Sequence, residues 1–189
     1  DVGKAFSFDG INDFIALPDS LTGESTEMTI SLWIKLDAAS TVGAEDALFD
    51  VSSPRLEIYR NHTSNKIAIY HEFGSFVSDA TLDYGELAYL TFVFNGSTVK
   101  IYKNSTMTSE HPCVITKIGI SPTIGARYSK TLYFIDGIVS GFKLFTRALS
   151  LAEIKTLYLI GNQQESGTIT ADRVQTGTLQ SINWGTSAG

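Results

Sequence analysis

Three short stretches set aromatic rings beside planar polar groups: Tyr59-Arg60-Asn61-His62, Tyr70-His71-Glu72 and Arg127-Tyr128. An aromatic face covers the apolar side of a pyranose ring, while guanidinium, amide and imidazole groups bond its hydroxyls. Tyr59, Arg60, Asn61, His62, Tyr70, His71, Arg127 and Tyr128 are therefore the expected ligand-binding residues, and recognition of a sugar is the chemistry expected of them. Covalent catalysis is not expected. The histidines His62, His71 and His111 are well separated and lack a metal-ligand spacing such as His-x-x-x-His. No serine sits in a nucleophile-elbow sequence, and no His/Asn partnership is suggested near the one cysteine, Cys113. Cys113 reads as a small buried hydrophobe.

The elements that must position these residues are strands. In "MTISLWIKL", Ile30, Leu32, Ile34 and Leu36 fall on one face and Thr29, Ser31, Trp33 and Lys35 on the other. "KIAIYH" sets Ile67 and Ile69 opposite Tyr70, and "TVKIYKN" turns Val99 and Ile101 inward. "YLTFVFN" is apolar on both faces, as in a central strand covered on both sides. In "GIVSGFKLF", Ile138, Phe142 and Leu144 are expected in step, with a bulge at Gly141. Turn signals at Asp9-Gly10, Gly74-Ser75, Asn95-Gly96-Ser97 and Asp136-Gly137 separate the runs. Many short strands at such spacing imply an all-β sandwich or jelly roll. One helix is expected near residues 150–160. Ser150 and Glu153 form a capping box, Ile154, Leu157 and Tyr158 follow at helical spacing, and Gly161 supplies a stop. It is expected to pack on an edge of the sandwich.

Of the 189 residues, 43% are hydrophobic and 18% charged, enough for a core that needs no disulfide. A net charge of -6 without a basic stripe argues against nucleic acid and anionic membranes as partners. The start at Asp1 rather than Met reads as a processed product or a piece of something longer.

The blocks "GKAFSFDGINDFIALPDS", "MTISLWIKL", "YLTFVFNGSTVKIYKN" and "IDGIVSGFKLFTRALSLAEIKTLY", in that order, resemble a laminin G-like domain of the concanavalin A-like lectin/glucanase superfamily over roughly residues 3 to 160. The resemblance implies a two-sheet antiparallel jelly-roll sandwich whose first strand pairs near the last. It also marks Tyr102, Tyr133 and Trp33 as structural. Such domains often hold a structural Ca2+ on clustered oxygens, here Asp9, Asn12 and Asp13, with Ser140 standing where an Asp is common. Glucanases of the superfamily carry a Glu-x-Asp-x-(x)-Glu strand, because hydrolysis needs two carboxylates flanking one bond. No such spacing occurs. "RLEIYRN" has Glu57 alone, and in "AEDALFD" the neighbours Glu45 and Asp46 point to opposite faces, with Asp50 beyond. "SDATLDYGE" has Asp79, Asp83 and Glu86 at the wrong spacing near a turn. The expectation is a protein that is not an enzyme.

After Gly161 the composition turns to Thr, Gly, Ser and Gln. Gly167-Thr168-Ile169 returns as Gly177-Thr178-Leu179, and Ile169, Val174, Leu179, Ile182 and Trp184 are too sparse to exclude water in one chain. "ITADRVQTGTLQS" resembles segments of bacteriophage tail-tip and tail-fibre proteins, where three chains wrap together. The domain plan is then residues 1–161 as the jelly roll and 162–189 as a linker and extended trimerisation segment, with the repeat continuing past Gly189. The expected protein is a virion adhesion module, extracellular on a phage tail. It would bind host-surface glycan and contact sister copies and other tail proteins. The alternatives are a decoration domain without specific binding, a secreted cell-surface adhesin, for which Asn61-His62-Thr63, Asn95-Gly96-Ser97 and Asn104-Ser105-Thr106 fit the N-glycosylation pattern, and a glycoside hydrolase.

Overall fold

The computed structural model describes residues 5–19, 23, 25–117 and 119–166. The repeat at 167–189, with Trp184 and the trimer expectation, lies outside the described residues. Two six-stranded antiparallel sheets form the body. Numbered in chain order, the first runs β1 (Phe6–Asp9), β12 (Asp136–Phe145), β3 (Glu27–Ala38), β8 (Leu87–Asn95), β9 (Thr98–Lys103), β10 (Thr106–Pro112). The second runs β2 (Ile15–Ala16), β11 (Thr123–Ile124), β4 (Glu45–Val51), β5 (Leu56–Asn61), β6 (Lys66–His71), β7 (Gly74–Thr81). This is the expected all-β jelly-roll sandwich, and the first strand does pair with the last.

Alternation decides which side chains meet between the sheets. Ile30, Leu32, Ile34 and Leu36 of β3 and Leu90, Phe92 and Phe94 of β8 pack against Leu48, Phe49, Ile58, Ile67 and Ile69 of the second sheet. Each such burial stabilises by roughly 1.5–3 kcal/mol. Cys113 is buried and free, and burial pushes its thiol up to about 12, so it is inert.

The outer face of the first sheet is covered by α1 (Leu151–Ser166). Val93, Tyr102, Leu149 and Ile154 form a second apolar cluster there. Trp33 stacks on Tyr158 at 5.6 Å and meets Tyr89 at 5.2 Å. The capping box is present: Ser150 N–H donates to Glu153 Oε2 at 2.9 Å, and Glu153 N–H to Ser150 Oγ at 3.4 Å. Arg147 and then Ser150 bond the Glu153 carboxylate and hold it down at about 2.

Four local expectations are corrected. The helix does not stop at Gly161 but runs to Ser166, and it covers the central strands rather than an edge. Gly161 serves contact instead, because a Cβ there would lie 2.2 Å from Trp33 Nε1. Asp136-Gly137 is a register shift within β12 rather than a turn, since a Cβ on Gly137 would strike the Lys35 carbonyl at 2.1 Å. The bulge at Gly141 is present, but it flips parity: Val139 joins Phe142 and Leu144 on the core side, and Ile138 faces outward with Lys35.

Gly161→Ala tests the Trp33 contact. Helix propensity alone would favour Ala by about 1 kcal/mol. Overpacking against the indole should outweigh this, at about 1–3 kcal/mol. The urea midpoint should fall; a rise would mean that the helix does not rest on Trp33.

Candidate functional site

The outer face of the second sheet carries the most concentrated polar chemistry. Two rows cross it. Ala47, Tyr59 and Ala68 pair in register across β4, β5 and β6, and Asp50, Glu57 and Tyr70 do the same. The small alanines leave Tyr59 standing between them. A bulge at Ala47/Phe49 shifts the parity of β4, so Glu45, Ala47 and Asp50 all face outward although Glu45 and Asp50 are an odd number apart.

The segment between β11 and β12 folds over this face. Ala47 N–H donates to Tyr133 O at 3.0 Å, Tyr133 N–H to Val42 O at 2.8 Å, and Tyr128 N–H to Asp50 Oδ2 at 3.0 Å. Tyr133 holds φ 61°, a conformation an aromatic residue adopts only when its surroundings impose it. Its ring lies where a Cβ on Gly43 would sit, 2.2 Å from Cδ1, so only glycine fits beneath it.

Cations and rings then alternate. The Arg55 guanidinium lies 5.3 Å from the Tyr70 ring and 4.8 Å from the Tyr128 ring; that of Arg127 lies 5.7 Å from Tyr128 and 5.4 Å from Tyr133. Arg55 also bonds Glu57, and its Nε stands 3.3 Å from Asp50 Oδ1. Asp50 is 0% and Glu57 4% exposed. Burial, reinforced by the Glu57 charge, pushes the Asp50 carboxyl up to about 7 against the pull of the Tyr128 N–H and Arg55. Burial and Glu57 also raise Glu45, and burial lifts the Tyr59 phenol to about 12. Glu45, Arg55, Glu57, Tyr59, Tyr70, Arg127 and Tyr133 enclose a cavity of about 240 Å³. Glu57 Oε1 is buried there without a hydrogen-bond partner among the described residues.

Of the residues read from sequence, Tyr59, Tyr70 and Arg127 line this cavity, and Tyr128 stands behind it between two arginines. The others do not. Arg60 is 0% exposed on the inner face, bonding Leu82 O at 2.6 Å, Tyr84 Oη at 2.6 Å and Asn65 Oδ1 at 2.7 Å beside Asp46. His62 Nε2 lies 3.0 Å from Asp46 Oδ1, and Asn61 Oδ1 accepts the Thr63 and Ser64 amides to shape the β5–β6 turn. His71 is 8% exposed in a separate groove with Phe73, Phe76 and His111. Tyr59 and Tyr70 sit within strands, and Tyr133, expected to be structural, faces the cavity. Glu45, Arg55, Asp50 and Glu57 were missed as a group. The signal available was the even spacing of Glu57 and Tyr59 on one face of β5, with Arg55 two residues ahead in the turn that leads into it.

Three of the residues expected to hold Ca2+, Asp9, Asn12 and Asp13, belong to one turn. Asp9 Oδ1 accepts the Ile11 and Asn12 amides and Asp13 Oδ2 the Asp9 amide, so these side chains shape a turn. The register sets Asp136, not Ser140, opposite Asp9, and Ser140 lies four residues on, roughly 13 Å along the strand. Among the described residues, no three His, Cys, Asp or Glu side chains gather to hold a metal ion.

A laminin G family model described as "Concanavalin A-like lectin/glucanases superfamily" matches residues 9–155. The chain belongs to this superfamily. Among solved members of the fold, a Bacteroides ovatus protein proposed to bind carbohydrate superposes at a TM-score of 0.68 and 11% identity, covering 81% of this chain and 46% of that one. Domain 4 of AbnA, an extracellular GH43 arabinanase from Geobacillus stearothermophilus, solved with arabinotriose, gives 0.63 and 17%, covering 82% and 76%. The NanB sialidase of Streptococcus pneumoniae gives 0.61 and 20%, covering 82% and 27%. The chain thus spans under half of the first protein and about a quarter of the sialidase, and identities this low carry the concanavalin A-like fold alone. No curated protein matches the sequence.

Two outcomes follow from these geometries. Asp50 titrates near 7 when folded against an ordinary 3.8. Its contribution is therefore full below about pH 4 and is lost as pH rises through about 7. Buried His71, held below its ordinary value, works in the opposite direction, so the readout is a difference. The melting temperature of wild type minus that of Asp50→Asn should fall between about pH 5 and pH 7.5; a constant difference would refute the shift. At the turn, Asp9→Asn should keep the acceptor and Asp9→Ala should lose about 1 kcal/mol in thermal melts without calcium; a calcium-dependent rise in the wild-type melting temperature that both variants lose would show that these oxygens hold a metal rather than only the turn.

Proposed function

We propose that this superfamily member is a non-catalytic carbohydrate-binding module serving host adhesion on a phage tail. The observation that carries the binding reading is the cavity on the second sheet: tyrosine rings and two arginines braced by each other, with carboxylate acceptors between them. Aromatic faces with convergent planar polar groups are what a sugar requires. The carbohydrate-linked descriptions of the Bacteroides protein and the arabinanase domain agree with this reading.

Binding is favoured over hydrolysis by where the acids stand. Asp50, whose raised pKa would suit a proton donor, is wholly buried, does not line the cavity, and is held by Arg55 and the Tyr128 amide. One oxygen of Glu57 is bonded to Arg55. Hydrolysis would have to use the two acids that do line the cavity, Glu45 as donor and Glu57 as second carboxylate, and Arg55 already holds one oxygen of Glu57.

The tail assignment rests on "ITADRVQTGTLQS" and the Gly-Thr repeat, whose aliphatics gain an interior by bundling with two sister copies. Weak single sites then suffice, because three linked copies act at high effective concentration. The setting would be the extracellular surface of the virion, with other tail proteins as neighbours.

A glycan array with the full chain should show weak binding, reduced about tenfold or more by Tyr59→Ala and by Tyr70→Ala. Retained affinity in both would move the site elsewhere, and release of reducing sugar would make the protein an enzyme. Mass measurement on the full chain should give a trimer; a strict monomer at high concentration counts against the tail.

A further inference from the structure

The cavity holds opposite charges that do not satisfy each other. Arg127 and Glu45 both line it and each feels the other's charge. Yet neither the Arg127 guanidinium nor the Glu45 carboxylate has a hydrogen bond or ion pair among the described residues. Arg127 is instead braced by the rings of Tyr128 and Tyr133. Glu57 adds a third unmet group, because its Oε1 is buried without a hydrogen-bond partner among the described residues while Arg55 holds the carboxylate in place.

A guanidinium only donates and an ionised carboxylate only accepts. A ligand group that serves both at once must do both, and a hydroxyl does. A carboxylate on the ligand would suit Arg127 but would stand against Glu45 and Glu57 in a partly desolvated cavity. An ammonium would suit the acids but would face Arg127 with Arg55 beside it. Opposite charges held apart thus exclude both ionic classes and reward an uncharged polyol. The volume of about 240 Å³ falls below the roughly 300 Å³ at which drug-sized pockets begin, a fit for one ring with its chain leaving to solvent.

We propose that the cavity selects a single neutral sugar ring, at a chain end or branch, and rejects uronic or sialic acids and free amino sugars, with Glu45 set against Arg127 as the discriminating pair. This rests on the carbohydrate reading above. The probes are matched glycans differing only in charge: glucosides against glucuronides, galactosides against galacturonides, and N-acetylglucosamine against glucosamine, titrated on the full chain. Wild type should bind the neutral member of at least one pair and its acid partner at least about tenfold more weakly. Glu45→Gln, isosteric and chosen to keep the fold, should narrow the neutral-to-acid ratio by about tenfold by leaving Arg127 uncompensated. Arg127→Gln should weaken the neutral ligand without creating acid binding. Preference of wild type for the acid member, or an unchanged ratio in Glu45→Gln with the fold verified by circular dichroism, would overturn the proposal. If no member of any pair binds, the carbohydrate reading falls, and the selectivity with it.

Discussion

Arg55 is the residue on which the exposed half of the second sheet depends. It pairs with two carboxyl groups that the register of β4 and β5 sets side by side, Asp50 and Glu57, both almost fully buried. Removing one partner from such a cluster costs about 3–5 kcal/mol, because the charge left behind has no water to turn to. Arg55 also supports the Tyr70 and Tyr128 rings, and Tyr128 in turn supports Arg127. The cavity is therefore preformed: its shape is fixed by the same contacts that make buried acids tolerable, and a ligand need order little on binding.

One strand serves two roles through this arrangement. Glu45 and Asp46 are neighbours, and alternation sends one to each side of the sheet. Inward, Asp46 meets Arg60 in a buried pair closed by Tyr84, Asn65 and the Leu82 carbonyl. Outward, Glu45 faces the cavity without a hydrogen bond or ion pair among the described residues. The inner pair ties β4, β5 and the segment after β7 together, which fixes the orientation of β4 and hence where Glu45 stands. Structure and recognition thus share a dipeptide without sharing atoms.

The fold was legible because it rests on repetition. The alternation of "MTISLWIKL" and the two-sided apolarity of "YLTFVFN" state which residues meet between the sheets and that something must cover the outside of β8. Gly161 misled because a glycine near a helix end means either a stop or a close approach, and only the position of Trp33 tells which. The site was half legible. Tyr59, Tyr70, Arg127 and Tyr128 stood out as rings beside polar groups. The acids did not, since a bulge in β4 breaks the even spacing by which carboxylates on one strand are recognised, and Asp50 and Glu57 meet only through pairing of different strands. Arg60 was misassigned for the converse reason: charge suggests exposure, and only the partner at Asp46 shows that this arginine lies inside.

A crystal structure of the full chain soaked with a bound neutral oligosaccharide tests the central claim most directly. One ring should be seated against the tyrosines on the second sheet, its hydroxyls bridging Arg127 and Glu45, with Arg55, Tyr128 and Tyr133 in the positions described for the free protein. A sugar bound in the His71–Phe73 groove or along the β1–β12 edge, or a cavity that forms only after Arg55 leaves its carboxylates, would contradict it.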